Sequence, residues 1–196
     1  PLDSQSYAGS FGKAIYALLV ELMSGQLGLS TQDGIWIQGA IAISEVLLGR
    51  DSLYGPGILK AKRLQAVARR PRILVDLPTV RHLNSLSSHN DSFAKEASRL
   101  MSVCLRKSTS GHWFTDYLAV MGLAKSPVPP YEKLLSEHKE RIESRLRHVL
   151  RTDIRHRQFA WLARYHNRTV RAYGRRTGAV TAHLLIPTAQ PLDLLP

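Results

Sequence analysis

A chain of 196 residues, 44% of them apolar, is long enough for one globular domain with a helical appendage. The single cysteine, Cys104, excludes an intrachain disulfide, and no apolar run approaches the roughly 20 residues that span a bilayer, so we expect a cytoplasmic protein without a membrane partner. The net charge of +12 favours polyanionic ligands and is concentrated in residues 131–176, which carry 13 Lys/Arg against 5 Asp/Glu.

The first part of the chain predicts helices that alternate with short strands. Apolar residues at three- and four-residue steps predict a helix over 10–23, and β-branched residues predict a strand over 35–47. A glycine-containing loop at 50–57 leads into a predicted helix over 58–68. A short buried strand over 72–76 follows.

The middle of the chain predicts a β-hairpin. Residues 101–107 and 112–118 flank the turn Ser108-Thr109-Ser110-Gly111, and aromatic residues supply ring area on the second arm. Because Cys104 stands between apolar neighbours, we interpret it as a buried strand thiol and not as a nucleophile.

The end of the chain predicts two helices behind a stiff proline-containing linker at 125–130. One helix covers 131–150, and Asp153 caps a second helix that runs to about residue 173. We therefore predict a core over 1–125, a helical hairpin over 131–176 packed on it, and a tail over 177–196.

Four segments in sequence order carry a resemblance to a known family. They are Gly34-Ile35-Trp36-Ile37-Gln38-Gly39-Ala40-Ile41-Ala42, Asp51-Ser52-Leu53-Tyr54-Gly55, Ala61-Lys62-Arg63-Leu64 and Pro71-Arg72-Ile73-Leu74-Val75-Asp76. Together they resemble the strand, loop, helix and strand of class III nucleotidyl cyclases. Residues 111–118 and 161–167 are similar to stand-alone bacterial cyclases, among them the Pycsar pyrimidine cyclases of antiphage defence.

The resemblance implies both a fold and an activity. The fold would be α+β, with a class III cyclase-like (ferredoxin-like) sheet, helices packed on it and a C-terminal helical hairpin. The partners would be a nucleoside triphosphate and a second copy of the chain, because the family forms its sites at a homodimer interface. The reaction would convert UTP to the 3′,5′-cyclic mononucleotide cUMP and pyrophosphate, as a second messenger in antiphage defence.

The resemblance also implies a catalytic residue. The family places an asparagine, and four residues later an arginine that stabilises the transition state, on the helix after the loop. Aligned on Gly55 and Leu64, the arginine position holds Arg63, but the asparagine position holds Leu59. Arg63 is therefore the candidate catalytic residue, and a solvated helix face is the alternative interpretation.

Four further residues are candidates for nucleotide binding. Ser52 occupies a position that influences base choice in the family, and its hydroxyl both donates and accepts, which suits uracil or guanine. A loop-capping role for Ser52 is the alternative. Tyr54, Lys60 and Lys62 complete the predicted nucleotide contacts.

The family binds two Mg²⁺ or Mn²⁺ ions through aspartates whose positions would precede Pro1, and we name no metal ligand in this sequence. The alternative is therefore a catalytically inactive cyclase-like module that binds a nucleotide or a partner. His138, His148 and His156 lie near one another in helical register, but they do not form the four-residue pair of a zinc helix.

A further alternative, a basic nucleic-acid-binding protein, rests on charge. Arg164, Arg168, Arg171 and Arg175 lie on one helix face, which is a solvated face, a phosphate- or nucleic-acid-binding face, or a docking surface. Few aromatic residues accompany them, which argues against single-stranded nucleic acid, and we expect no nucleic-acid partner. In the segment 165–167, we interpret the histidine as a polar contact to the core and not as an acid–base group.

Overall fold

The computed structural model describes residues 4–87, 92–123 and 131–187. The chain forms two compact units. The first unit comprises residues 1–24 and 37–123, and the second joins residues 25–36 to the C-terminal helices. The predicted linker and residues 188–196 of the predicted tail lie outside the described residues, and the predicted domain boundaries stay a prediction.

Helix α1, Ser4–Gly28, begins the described chain, and its last four residues belong to the second unit. Strands and helices then alternate through the first unit. In order they are β1 (Gly39–Ile41), β2 (Leu47–Leu48), β3 (Leu53–Tyr54), α2 (Pro56–Ala68), β4 (Ile73–Val75), α3 (Leu77–Ser87), α4 (Ser92–Cys104), β5 (Leu105–Lys107), β6 (Trp113–Thr115) and a 3₁₀ segment (Tyr117–Leu123).

A four-stranded sheet in the order β1-β4-β6-β5 organises the first unit. β1 pairs with β4 in parallel, and the other two pairings are antiparallel. All three residues of the central strand β4 are buried, as the apolar run at 72–76 predicts. The prediction of an α+β fold is confirmed at this level, with a small mixed sheet and helices.

The predicted strand over 35–47 is wrong in its extent, because within it only Gly39–Ile41 pairs in the four-stranded sheet, and Leu47 begins the separate hairpin of β2 and β3. Before it, the amide of Ile35 donates to the carbonyl of Leu29 and closes a helical turn. After it, the carbonyl of Glu45 accepts from the amide of Gly57 at 2.9 Å. The β-branched sequence favours extended backbone, but these two bonds draw its ends away from the sheet.

The predicted hairpin is confirmed at its turn but shortened in both arms, since the second arm, predicted over 112–118, pairs only over Trp113–Thr115 and gives way to a 3₁₀ segment from Tyr117. β5 and β6 pair in register, and the amide of Ser108 donates to the carbonyl of His112 across the turn. Helix α4 continues to Cys104, so the prediction of a strand over 101–107 holds only for its last three residues. Cys104 is buried as predicted, but at the end of a helix.

Two helices dominate the second unit: α5 (Tyr131–His148) and α6 (Ile154–Thr177), followed by a 3₁₀ turn (Ala182–Leu184). The predicted cap is confirmed, since the Asp153 carboxylate accepts from the amide of Arg155. A buried cluster joins the two helices to the following turn through Leu135, Val170 and Leu184.

The second unit also contains the π-helical turn Leu29–Asp33. Arg141 of α5 donates from its Nε to the carbonyl of Thr31 at 3.1 Å, and Arg145 donates to the carbonyl of Gly34 at 3.5 Å. These bonds explain why a segment distant in sequence groups with the C-terminal helices.

Among the described residues, one helical segment, Phe11–Asp33, is long and apolar enough to cross a membrane. Helices in the core of soluble proteins pass the same test, and Ile15, Leu19 and Met23 on this helix are buried. The segment is weak evidence for a membrane span, and the expectation of a protein without a membrane partner stays a prediction.

Candidate functional site

The hairpin of β2 and β3 exposes apolar side chains. Leu47 pairs with Tyr54 and Leu48 with Leu53. With Val46 these residues form what we call the hairpin patch, and their exposed fractions run from 44% at Val46 to 82% at Leu48. A two-stranded hairpin whose side chains remain in water is marginally stable by itself. The hairpin patch is therefore a surface that a covering partner would stabilise.

Glycines attach this hairpin to helix α2. Gly55 adopts a φ of 126°, a conformation that L side chains rarely adopt. A Cβ at Gly57 would lie only 2.7 Å from Cγ2 of Val46, so no larger residue fits without a shift. The loop that carries the predicted site thus favours glycine at both positions, and it brings the start of α2 against residues 44–46, which lead into the hairpin.

The structure places Ser52 and Tyr54 together at the hairpin. The amide of Gly49 donates to the carbonyl of Ser52 at 2.8 Å, which closes the turn. The Ser52 hydroxyl and the Tyr54 ring both lie beside Gly49, and both residues are exposed. Their predicted contact with a nucleotide stays a prediction, as does the loop-capping role of Ser52.

Lys60 lies in an ion pair inside the first unit. Its Nζ is 2.5 Å from Oδ2 of Asp76, whose side chain is almost fully buried, and it donates to the carbonyl of Ile43 at 3.2 Å. Asp76 also caps helix α3, because its Oδ1 accepts from the amide of Thr79 at 2.8 Å and from the Thr79 hydroxyl. The structure therefore gives Lys60 a structural partner, which sequence reasoning missed.

Lys62 and Arg63 are exposed on helix α2. Neither side chain forms an ion pair or a side-chain hydrogen bond with the residues that the structure describes. Arg63 lies one helical turn after Leu59, which is 57% exposed, so guanidinium and apolar surface are neighbours on one face. In the sequence this face follows directly after the hairpin patch.

The described residues do not supply a metal site for this helix. Among them no group of three or more His, Cys, Asp or Glu side chains could hold a metal ion. The carboxylate of Asp76 pairs with Lys60 of α2, and it also accepts a hydrogen bond from the amide of Thr79. The expected Mg²⁺ or Mn²⁺ pair stays a prediction, and we derive no chemical step through it.

A buried pair of histidines in the second unit was also missed from the sequence. His138 of α5 and His166 of α6 place their Nδ1 atoms 3.0 Å apart, and both rings are fully buried. The Nε2 of His166 lies 2.9 Å from the carbonyl oxygen of Leu184, and the Nε1 of Trp36 donates to Nε2 of His138 at 3.4 Å. The sequence signal that could have indicated the pair is His138, which lies on the apolar face of the predicted helix over 131–150.

The prediction that residues 165–167 contact the core is confirmed. His166 and Asn167 are buried, and the Asn167 amide group exchanges two hydrogen bonds with the backbone of Ile186, at 3.0 and 2.8 Å. These contacts hold the segment after α6 against the helix.

Comparison with known proteins identified no relative. No protein-family model matches the chain, no curated protein matches its sequence, and no solved structure matches its fold.

Proposed function

We propose that the chain is a nucleotidyl cyclase of the class III type that acts as a homodimer and converts UTP to cUMP and pyrophosphate. The sequence resemblance over residues 10–83 motivates the proposal. The single structural observation that supports it best is the exposed hairpin patch, which is followed in sequence by a helix whose exposed Arg63 forms no ion pair with the described residues. A site shared by two subunits requires an apolar contact surface and a cationic side chain that is accessible to the substrate.

The hairpin patch fits a two-fold contact between copies of the chain. In such an interface the same patch occurs on both subunits, so it must be complementary to itself. The core of a homodimer interface is rich in apolar and aromatic residues and poor in charge. Leu47, Leu48, Leu53 and Tyr54 have this character, and burying them would remove their apolar area from water.

The chemistry assigned to Arg63 is electrostatic. In cyclisation the 3′-hydroxyl oxygen attacks the α-phosphorus and its proton passes to solvent, while the bond to the bridging oxygen breaks and pyrophosphate leaves with the electron pair. Negative charge on the phosphate oxygens increases in the transition state, and a guanidinium stabilises it through paired N–H donors. Ser52 would contact the uracil edge through its hydroxyl, and Lys62 would neutralise phosphate charge.

The test is turnover of UTP by wild-type protein and two variants, with the cyclic product identified by mass spectrometry. Arg63→Ala should lower turnover by about 100-fold or more, because loss of one such donor costs that much in other enzymes. Arg81→Ala, which removes an exposed arginine of α3, is the matched control and should retain wild-type turnover. Equal turnover by Arg63→Ala would remove that assignment.

A second candidate function is a cyclase-like module that binds a nucleotide without converting it. Leu59 at the family's asparagine position and the ion pair that engages Lys60 favour it. Isothermal titration of UTP with no cyclic product would support this candidate. The result would contradict the enzyme proposal while retaining the nucleotide site.

A further inference from the structure

Helix α6 differs from its neighbour in the nature of its charges. It carries seven arginines, no lysine and no acidic residue: Arg155, Arg157, Arg164, Arg168, Arg171, Arg175 and Arg176. Helix α5 instead mixes both signs and contains the ion pairs Lys133–Glu137 and Lys139–Glu143. We expect a helix face with no role beyond contact with water to mix charges of both signs, as α5 does. The composition of α6 therefore requires another explanation.

Five of these arginines form a line, which we call the arginine stripe. Steps of seven, four, three and four residues place them within one narrow sector of the helix. Its members are Arg157, Arg164, Arg168, Arg171 and Arg175. At a rise of 1.5 Å per residue the arginine stripe is about 27 Å long. A free nucleoside triphosphate is too short to contact all of it, so the ligand is an extended one.

The charges of the arginine stripe are not compensated within the described chain. None of its five side chains forms an ion pair or a side-chain hydrogen bond with the residues that the structure describes. The nearby acids have partners of their own, since Asp153 pairs with Arg155 and Glu132 accepts from the hydroxyl of Tyr173. Like charges three and four residues apart destabilise a helix. The unbound protein therefore carries a repulsion that a polyanion would relieve.

A groove beside the stripe extends the positive surface. It has a volume of about 1050 Å³, and Arg147 and Arg151 line it together with Arg164 of the stripe. The buried Nε of Arg164 has no hydrogen-bond partner in the described part of the chain. Glu143 is the carboxylate in the lining, and it lies 3.9 Å from the ammonium of Lys139. The groove thus presents guanidinium groups from both sides of the helical hairpin.

We infer that the arginine stripe binds the phosphate backbone of double-stranded nucleic acid without reading its sequence. Guanidinium forks match phosphate oxygens better than ammonium groups do, which accounts for arginine in place of lysine. A duplex presents one phosphate per about 1.7 Å of axis, and so supplies charge along the whole stripe. Exposed aromatic side chains for base stacking are absent from the stripe, which separates this ligand from a single strand.

A membrane surface fits these observations less well. Helices that lie on bilayers insert large apolar side chains from the bound face, and the arginine stripe contains none. Leu150, which lines the groove, and Ile154 at the start of α6 are exposed apolar side chains at one end of this surface, so binding to vesicles is measured beside binding to the duplex. The inference does not depend on the cyclase proposal, because its residues belong to the second unit and the proposed nucleotide site to the first.

The experiment measures binding of the whole chain to a fluorescein-labelled 20-base-pair DNA duplex by anisotropy, between 50 and 300 mM salt. The stripe variant is Arg168→Gln/Arg171→Gln/Arg175→Gln. Each phosphate contact contributes about 0.9 to the slope of log affinity against log salt, so this variant should lose between about 2 and 3 of that slope. Its affinity at 100 mM salt should fall by at least about tenfold.

The matched control is Arg81→Gln/Lys95→Gln/Lys107→Gln, which removes the same charge from exposed positions of the first unit and should retain both slope and affinity. Equal losses in the two triple variants, or no duplex binding by wild-type protein at 50 mM salt, would overturn the inference. So would a stripe variant that keeps duplex binding but no longer binds phosphatidylserine vesicles. If the triple variant does not fold, Arg171→Gln alone should lower the slope by about 1.

Discussion

Acid should destabilise the second unit through the buried histidine pair. The rings form one ordered chain of hydrogen bonds, from the indole N–H of Trp36 to His138, from His138 to His166, and from His166 to the carbonyl oxygen of Leu184. An indole only donates and a carbonyl only accepts, so the order is fixed. In this order each imidazole accepts one hydrogen bond and donates one, so each ring carries a single N–H and is neutral.

The size of the effect follows from the pKa of His166. Burial lowers it from an ordinary value of 6.5 to about 4, although the hydrogen bond to Leu184 acts in the opposite direction and Lys139 lowers it further. Burial, and the neighbouring His166, also place the pKa of His138 well below 6.5. A fall from 6.5 to about 4 corresponds to about 3 kcal/mol. The unfolded chain binds protons in this window that the folded chain does not, so stability is complete above pH 6.5 and is lost as the pH falls towards 4.

Urea unfolding at pH 7.5 and 4.5, followed by tryptophan fluorescence, measures this loss. Wild-type protein should lose at least about 3 kcal/mol more than the variant His138→Gln/His166→Gln, because both rings resist protonation in the folded state and the variant has neither. His148→Gln removes an exposed histidine of α5 and should keep the wild-type loss. The reasoning would be refuted if the double variant lost as much stability as wild-type protein, or if the His166 ring of the folded protein titrated near pH 6.5 in NMR spectra.

Two further predictions concern the first unit. Lys60→Met should lower the free energy of unfolding by between about 1 and 2 kcal/mol, because it removes the cation beside the buried carboxylate of Asp76 while the Lys60 side chain is itself 38% exposed. Lys62→Met should change the free energy of unfolding by less than about 0.5 kcal/mol. Urea unfolding of both variants decides, and equal values would show that the ion pair does not contribute. Burial raises the pKa of the Cys104 thiol to about 12, so a disulfide reagent at pH 8 should label it only after unfolding, and rapid labelling of native protein would contradict the buried position.

Local sequence signals predicted the helices well. Apolar periodicity located α2 and α5 to within a few residues, and the carboxylate of Asp153 marked the start of α6. These features depend on residues close in sequence, which is why pattern reasoning finds them. The predicted strand over 35–47 was too long because its true ends depend on residues distant in sequence. β-Branched residues indicate extended backbone, but only tertiary hydrogen bonds, such as that from Gly57 to Glu45, decide where a strand leaves the sheet.

The candidate site was predictable in part. Ser52, Tyr54 and Arg63 were proposed from the sequence, and their roles stay predictions; their exposure could not be predicted, because it depends on what the rest of the chain covers. Lys60 was expected to be free for a ligand, and its partner Asp76 lies 16 residues away beyond a strand. Pairs that meet across elements leave no local pattern in a single sequence.

The most direct test of the cyclase account is the rate of cUMP formation per protein chain as a function of protein concentration. If the site forms between two subunits through the hairpin patch, the rate per chain should rise with concentration and reach a plateau. Leu48→Asp, which places a charge on the hairpin patch, should shift that plateau to higher concentration. No cyclic product from UTP or from any other nucleoside triphosphate, at any concentration, would contradict the account.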